Sequence, residues 1–274
     1  MADKIVKSIK LEAKEQIKQI KTEKKAQIAA VKIQTAQKLA SESVKYQRKL
    51  EKQNQRRAEA QIPKRYSVGE EIFNSVSHGV GTGLSIAALV LLIVRAVFYA
   101  PASQKGFYIT GFAIFGSTLI VLYLMSTLYH ALTPYHVKKI FGIFDHSSIY
   151  LLISGTYTPF CLGVLRVSGG WWLFGAVWFL TVLGIVFYAI FGSKMRAFSA
   201  GSYLVMGWLI CFFWKPLQAG VNPLCVRFLI AGGIVYTIGI IFYALKKIKW
   251  THCVWHLFVL GGSVLHFFSV YYSL

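Results

Sequence analysis

Two pairs of residues spaced four apart carry the chemistry that is legible in this chain: Ser126 with His130, and His252 with His256. On a helix, residues i and i+4 project from the same face, so each pair can aim two side chains at one point. Two imidazoles from one helical turn and a third from a facing helix supply three neutral nitrogen donors. That is the ligand count of a catalytic zinc site, whose fourth position is left for water. Asp145 is the only acidic residue between Ile72 and Leu274. A lone carboxylate among apolar helices needs a cationic or metal partner to stay ionised. Beside a zinc-bound water, Asp145 would accept the proton and hold the nucleophile, while Ser126 would hydrogen-bond a substrate carbonyl or its oxyanion. The same spacing also suits histidines that only hydrogen-bond to neighbouring helices, and the same acid suits a proton relay or ion pathway.

The elements that must position these residues follow from composition. The chain has 274 residues, 55% hydrophobic and 15% charged, with a net charge of +20. Soluble domains carry roughly a quarter charged residues, so a globular soluble enzyme, a disulfide scaffold and a disordered chain are excluded. Residues 1–65 hold 18 Lys and Arg against 7 acidic residues, and the remaining 12 basic residues face only Glu70, Glu71 and Asp145. Apolar runs long enough to cross about 30 Å of hydrocarbon recur near 78–99, 107–132, 141–164, 171–192, 198–214, 224–245 and 252–273, the fifth being short and ending at Lys215-Pro216. The expected fold is all-α: a seven-helix transmembrane bundle preceded by a long basic N-terminal helix. With the N-terminus inside and the C-terminus outside, Lys138, Lys139, Lys194, Arg196, Lys246, Lys247 and Lys249 fall in cytoplasmic loops. Lys105, Arg166, Lys215 and Arg227 fall opposite, which satisfies the positive-inside rule and predicts a multi-pass protein of the plasma membrane.

Residues 3–60 contain neither Gly nor Pro and are rich in Ala, Lys, Gln and Glu, which predicts a cytoplasmic helix. Ile5, Ile9, Ala13, Ile17, Ile20, Ile28, Val31 and Leu39 recur at steps of three or four, beside a stripe of lysines that includes Lys4, Lys7 and Lys14. A basic amphipathic helix of this kind can lie on an anionic leaflet; a solvated helix or weak coiled coil reads the same way. Nucleic-acid binding is not expected, because no zinc-finger spacing or aromatic RNA signature accompanies the charge. Cys161, Cys211, Cys225 and Cys253 lie singly in apolar runs and read as small packed residues.

Depth unites the polar groups inside the spans. His78, with Glu71 and Asn74, opens span 1; Ser126 and His130 close span 2; Asp145 and His146 open span 3; His252 and His256 open span 7. All lie at one end of the predicted bundle, where chance would scatter them. His136 and His146 read as loop-end groups. His266, ten residues beyond His256 and so about 15 Å deeper, reads as a packed, hydrogen-bonded histidine.

At these residues the sequence resembles the hemolysin III branch of the progestin and adipoQ receptor family, which includes the adiponectin receptors. The matching segments are Glu70-Glu71-Ile72-Phe73-Asn74-Ser75-Val76-Ser77-His78-Gly79, Ser126-Thr127-Leu128-Tyr129-His130, Asp145-His146-Ser147-Ser148-Ile149-Tyr150, Gly155-Thr156-Tyr157-Thr158-Pro159-Phe160, and His252-Cys253-Val254-Trp255-His256 continuing to His266-Phe267-Phe268. The resemblance covers residues 65–274. It implies a seven-helix bundle with the N-terminus inside, zinc held by His130, His252 and His256, and Asp145 beside the metal-bound water. Because the wider superfamily includes alkaline ceramidases, it also implies hydrolysis of a lipid amide or ester, or lipid sensing, in membrane homeostasis. Bacterial members are tied by name to haemolysis, so a pore-forming cytolysin is an alternative, as is a receptor-like protein whose zinc only braces the bundle. The spans show no continuous polar stripe, which speaks against an aqueous pore. The N-terminal tail lies outside the resemblance.

Overall fold

The computed structural model describes residues 2–61, 66–245 and 248–274; Lys246 and Lys247 of the loop-charge pattern lie outside them. Helices joined by short links make up the described residues, with no strand among them. They form two units, residues 1–59 and 60–274.

The first unit is one helix, α1, Ala2–Gln61. Without Gly or Pro nothing interrupts it, and its Thr22 and Thr35 hydroxyls donate back to the carbonyls of Lys18 and Val31. The described side chains of residues 14–55 are all exposed, Ile17, Ile28 and Val31 included. The expected apolar stripe does not run the whole length: summed over α1, the apolar residues favour no face. At 100° per residue the stripe drifts sideways, and Ile33 and Val44 fall on the opposite side. The side chains of Lys4, Ile5, Lys7 and Ala13 lie outside the described ones.

The second unit begins with α2, Val68–Tyr99, whose first turn is closed by a capping box. The Ser67 hydroxyl accepts from the Glu70 amide, and the Glu70 carboxylate accepts from the Ser67 amide, satisfying two amide donors at the start of the helix. Then follow α3 (Lys105–Ala131), α4 (Tyr135–Leu162), α5 (Trp171–Phe191), α6 (Arg196–Gly207), α7 (Trp214–Gly220), α8 (Pro223–Ala244) and α9 (Thr251–Tyr271). Chain neighbours pack as antiparallel pairs, α2 on α3, α3 on α4, α4 on α5 and α8 on α9, and α9 returns to α2. The starts of α2, α4, α6 and α9 thus share one end of the bundle with the close of α3.

Among the described residues, six segments are long and apolar enough to cross a membrane, with Arg196–Gly220 counted as one. The seventh long helix, α4, is less apolar because its inward face carries Ser147, Ser148, Ser154, Thr156 and Thr158, all buried. These hydroxyls meet protein, where small polar groups can hold helices together in a medium that supplies no hydrophobic drive. The Ser154 hydroxyl donates to the Val177 carbonyl at 2.9 Å, and Thr181 donates to the Tyr150 carbonyl at 3.1 Å, tying α4 to α5. The expected fifth span breaks at Gly207 and passes through a tight turn at Leu209–Phe213 before α7. A broken span needs its freed backbone groups bonded. Tyr157 of α4 does this: its phenol donates to the Met206 carbonyl at 2.8 Å and accepts from the Ile210 amide at 3.0 Å.

Gly155 sets the closeness of α3 and α4, since a Cβ there would fall on the Thr118 side chain. Gly155→Ala is therefore expected to destabilise the bundle by about 1–3 kcal/mol through overpacking. Gly201 has open space where a Cβ would go, so Gly201→Ala is the control. Thermal unfolding in detergent checks the pair: a lower midpoint for Gly155→Ala only.

Candidate metal centre

Two helices bring the pairs together. α9 presents His252 and His256 from one face, and the last turn of α3 presents His130. The nearest donor nitrogens of the three lie within 4.8 Å of one another. His252 Nε2 and His256 Nε2 are 3.3 Å apart. Tetrahedral zinc with Zn–N distances of about 2.0–2.1 Å spaces its ligand nitrogens about 3.3–3.4 Å apart, so the α9 pair already has that spacing and the set needs only a small closure. His130 Nε2 is buried without a hydrogen-bond partner, the state of a donor nitrogen aimed at a ligand. These residues fit a zinc ion on donor type, number and spacing.

The far nitrogen of His130 has partners that spacing along the chain does not reveal. His130 Nδ1 donates to Glu71 Oε2 at 2.7 Å, and Lys138 Nζ donates to Glu71 Oε1 at 2.7 Å. A carboxylate on the far nitrogen fixes the tautomer and the ring orientation and turns Nε2 into the acceptor. Glu71 comes from the first turn of α2 and Lys138 from the first turn of α4, so the brace ties three helices around one imidazole. The signal was present: Glu71 is one of only three acids after residue 65. Lys138, expected as a free loop charge, is buried as its counter-ion. Glu71→Gln is expected to lower metal affinity roughly 10–100-fold, read by chelator competition; unchanged affinity would show that the brace is idle.

His78 stacks on His256, with ring centroids 3.7 Å apart, and meets Tyr123 edge-on. Just outside the first apolar span, Tyr66 stacks on His252 at 4.7 Å, and burial pushes its phenol well above the ordinary range, so it stays neutral.

Ser126, Asp145, His252 and His256 line one small cavity, together with His146 and Tyr243. Its volume of about 20 Å³ is room for a water molecule. Asp145 Oδ2 lies 3.4 Å from His146 Nδ1, which also donates to the Gly142 carbonyl at 2.9 Å. His146 is not a loop-end group: α4 starts at Tyr135, three turns earlier, so residue 146 falls inside the bundle, buried and stacked on Tyr188 at 5.0 Å. Arg196 lines an adjoining polar cavity with Tyr66, Tyr129, His146, Tyr243 and His252. This cation too was expected as a loop charge only. Below the polar cavities, Leu122, Ile149, Trp255 and Val259 are shared with an apolar cavity of about 110 Å³. The four cysteines are all free.

Comparison with known proteins matches the sequence to one family. The family model described as "Haemolysin-III related" matches residues 66–267. The chain is 44% identical over 203 residues to "Hemolysin-3" of Bacillus cereus, covering 74% of this chain and 91% of that protein. It is 47% identical over 205 residues to the "Hemolysin-3 homolog" of Bacillus subtilis, covering 75% of this chain and 94% of the relative. A human relative, "Monocyte to macrophage differentiation factor", is 24% identical over 168 residues, 58% of this chain and 68% of its own length. No solved structure gives a significant match.

Proposed function

The chain belongs to the haemolysin-III-related family of multi-pass membrane proteins, and from that premise we propose that it is a zinc-dependent hydrolase of a lipid amide or ester, acting in membrane lipid homeostasis. One observation carries the reading: a group of three histidines that can hold a metal adjoins a water-sized cavity holding Asp145 and Ser126, and that cavity borders an apolar one.

His130, His252 and His256 would hold the zinc, with Glu71 and Lys138 orienting His130. Bound there, zinc supplies a Lewis acid for a carbonyl and lowers the pKa of water toward neutrality. Asp145 acts as general base, taking a proton from the attacking water and passing it to the leaving nitrogen or oxygen. Ser126 donates its hydroxyl hydrogen to the carbonyl oxygen as charge develops there. The acyl chain lies in the apolar cavity, which excludes water from the scissile bond. Arg196 and Tyr129 meet the polar part of the lipid at the mouth. The N-terminus faces the cytoplasm of a plasma-membrane protein, with the basic α1 on that side near anionic headgroups.

The test is purified full-length protein, zinc stoichiometry by elemental analysis, and release of fatty acid from a panel of short-chain ceramides and lipid esters. One zinc per chain with turnover supports the reading. One zinc without turnover on any substrate moves the metal to a structural role.

A further inference from the structure

His266 lies outside the metal centre, about 15 Å further along α9 than His256, and it faces the apolar cavity. Its ring is held on every side. Nδ1 donates to the Gly262 carbonyl at 2.7 Å. One face stacks on Tyr236 of α8 at 4.9 Å. The ring rests on Gly232, where a Cβ would come within 2.5 Å of its Cε1. The seat is reciprocal, because the Tyr236 ring rests on Gly262 of α9. The Tyr236 phenol is fixed in turn by Ser263, 2.8 Å away, whose hydroxyl also meets Tyr123 at 2.7 Å. A side chain pinned in this way presents its remaining nitrogen, Nε2, in one direction.

Among the described residues nothing bonds that nitrogen. Burying a charge here without a counter-ion is costly, so Nε2 carries a lone pair and is an acceptor. The hydroxyls on the cavity wall are already used: Thr156 donates to Leu152, Thr237 to Gly233, and Tyr157 to Met206. The cavity is therefore apolar, with His266 on its wall at depth, and an acceptor that loses water without gaining a donor costs free energy.

We propose that His266 reads a hydroxyl group on the chain of a lipid bound in this cavity, making the protein selective for hydroxylated over plain acyl chains. The proposal rests on the reading of the cavity as the acyl-chain site of the proposed hydrolase, and it names the chain chemistry. The complement of a fixed acceptor is a neutral donor, so carboxylate, phosphate and quaternary ammonium groups do not fit this position. With the acyl headgroup at the metal centre, a depth of about 15 Å corresponds to a hydroxyl roughly a dozen carbons along an extended chain.

Oleate and ricinoleate differ by one mid-chain hydroxyl and are the probes. Full-length protein in nanodiscs is stripped of metal by chelation, so binding is measured apart from any hydrolysis. Trp208 and Trp255 line the cavity, and displacement of a brominated fatty acid that quenches them reports occupancy. Ricinoleate is expected to bind about two- to tenfold tighter than oleate, the value of one hydrogen bond. His266→Phe is expected to erase that preference while binding oleate at least as well, and His266→Gln, which keeps an acceptor, to retain part of it. Methylating the ricinoleate hydroxyl removes the donor without touching the protein, so the ether should bind no better than oleate even if a variant fails to fold. Equal affinities, displacement by neither acid, a preference that survives His266→Phe, or an ether as tight as ricinoleate each overturns the proposal. A ricinoleate preference without hydrolysis of any lipid would sink the hydrolase reading and leave this one standing.

Discussion

A protein carrying both His252→Ala and His256→Ala is expected to purify without stoichiometric zinc while remaining a folded helical bundle. Two of three nitrogen donors disappear together, and the remaining imidazole on Glu71 cannot hold a divalent ion against micromolar chelator. The double variant also loses the stack of His78 on His256, so its unfolding midpoint should fall. Helicity should persist, because α9 is fixed by its glycine seats against α8 and by the bond from the Trp250 amide to Glu70 Oε1 at 2.8 Å. Elemental analysis and circular dichroism on the same preparation check both halves. One zinc per chain surviving the double substitution would mean that the metal sits elsewhere and that the histidine group is structural.

Asp145→Asn should separate metal binding from chemistry. The amide keeps the shape of the carboxyl group but cannot take a proton. General-base catalysis is worth about 10²–10⁴-fold, so turnover on any lipid amide or ester that the wild type cleaves should fall within that range. The loss should appear in kcat with KM nearly unchanged, since the interaction matters mainly in the transition state. Zinc content should stay at the wild-type level, because Asp145 is not one of the three donors. Full activity in Asp145→Asn would remove the acid from the mechanism; loss of zinc would make it a ligand.

Much of the site was legible because membranes restrict the choices. A chain in hydrocarbon must bond its own backbone, which makes apolar runs helices, and helical geometry then puts residues four apart on one face. Those two rules bring His252, His256, Ser126 and His130 to one level of the bundle before any coordinates are known. They failed at α4, whose first three turns carry Lys138, Lys139 and His146. The missing hydropathy there suggested a later start to the helix, so His146 was set at its end and not in its interior. They failed too at Lys138 and Arg196, because a count of loop charges treats every cation as bathed in headgroups. Protein partners decide otherwise: the Glu71 carboxylate takes Lys138, and the polar cavity takes Arg196.

By itself, then, the sequence determined the helical membrane architecture, the separate basic tail and the residue types that can hold a metal, since each depends on local pattern and solvent. Only the tertiary structure decided which nitrogen of His130 is held by Glu71, that Asp145 and Ser126 share a cavity with the α9 histidines, and that His266 lines an apolar chamber. Those outcomes depend on how far each helix is rotated and how closely its neighbour approaches. Residues as distant as Gly155 and Thr118, or Gly232 and His266, set those quantities jointly by their bulk, and no single segment encodes them.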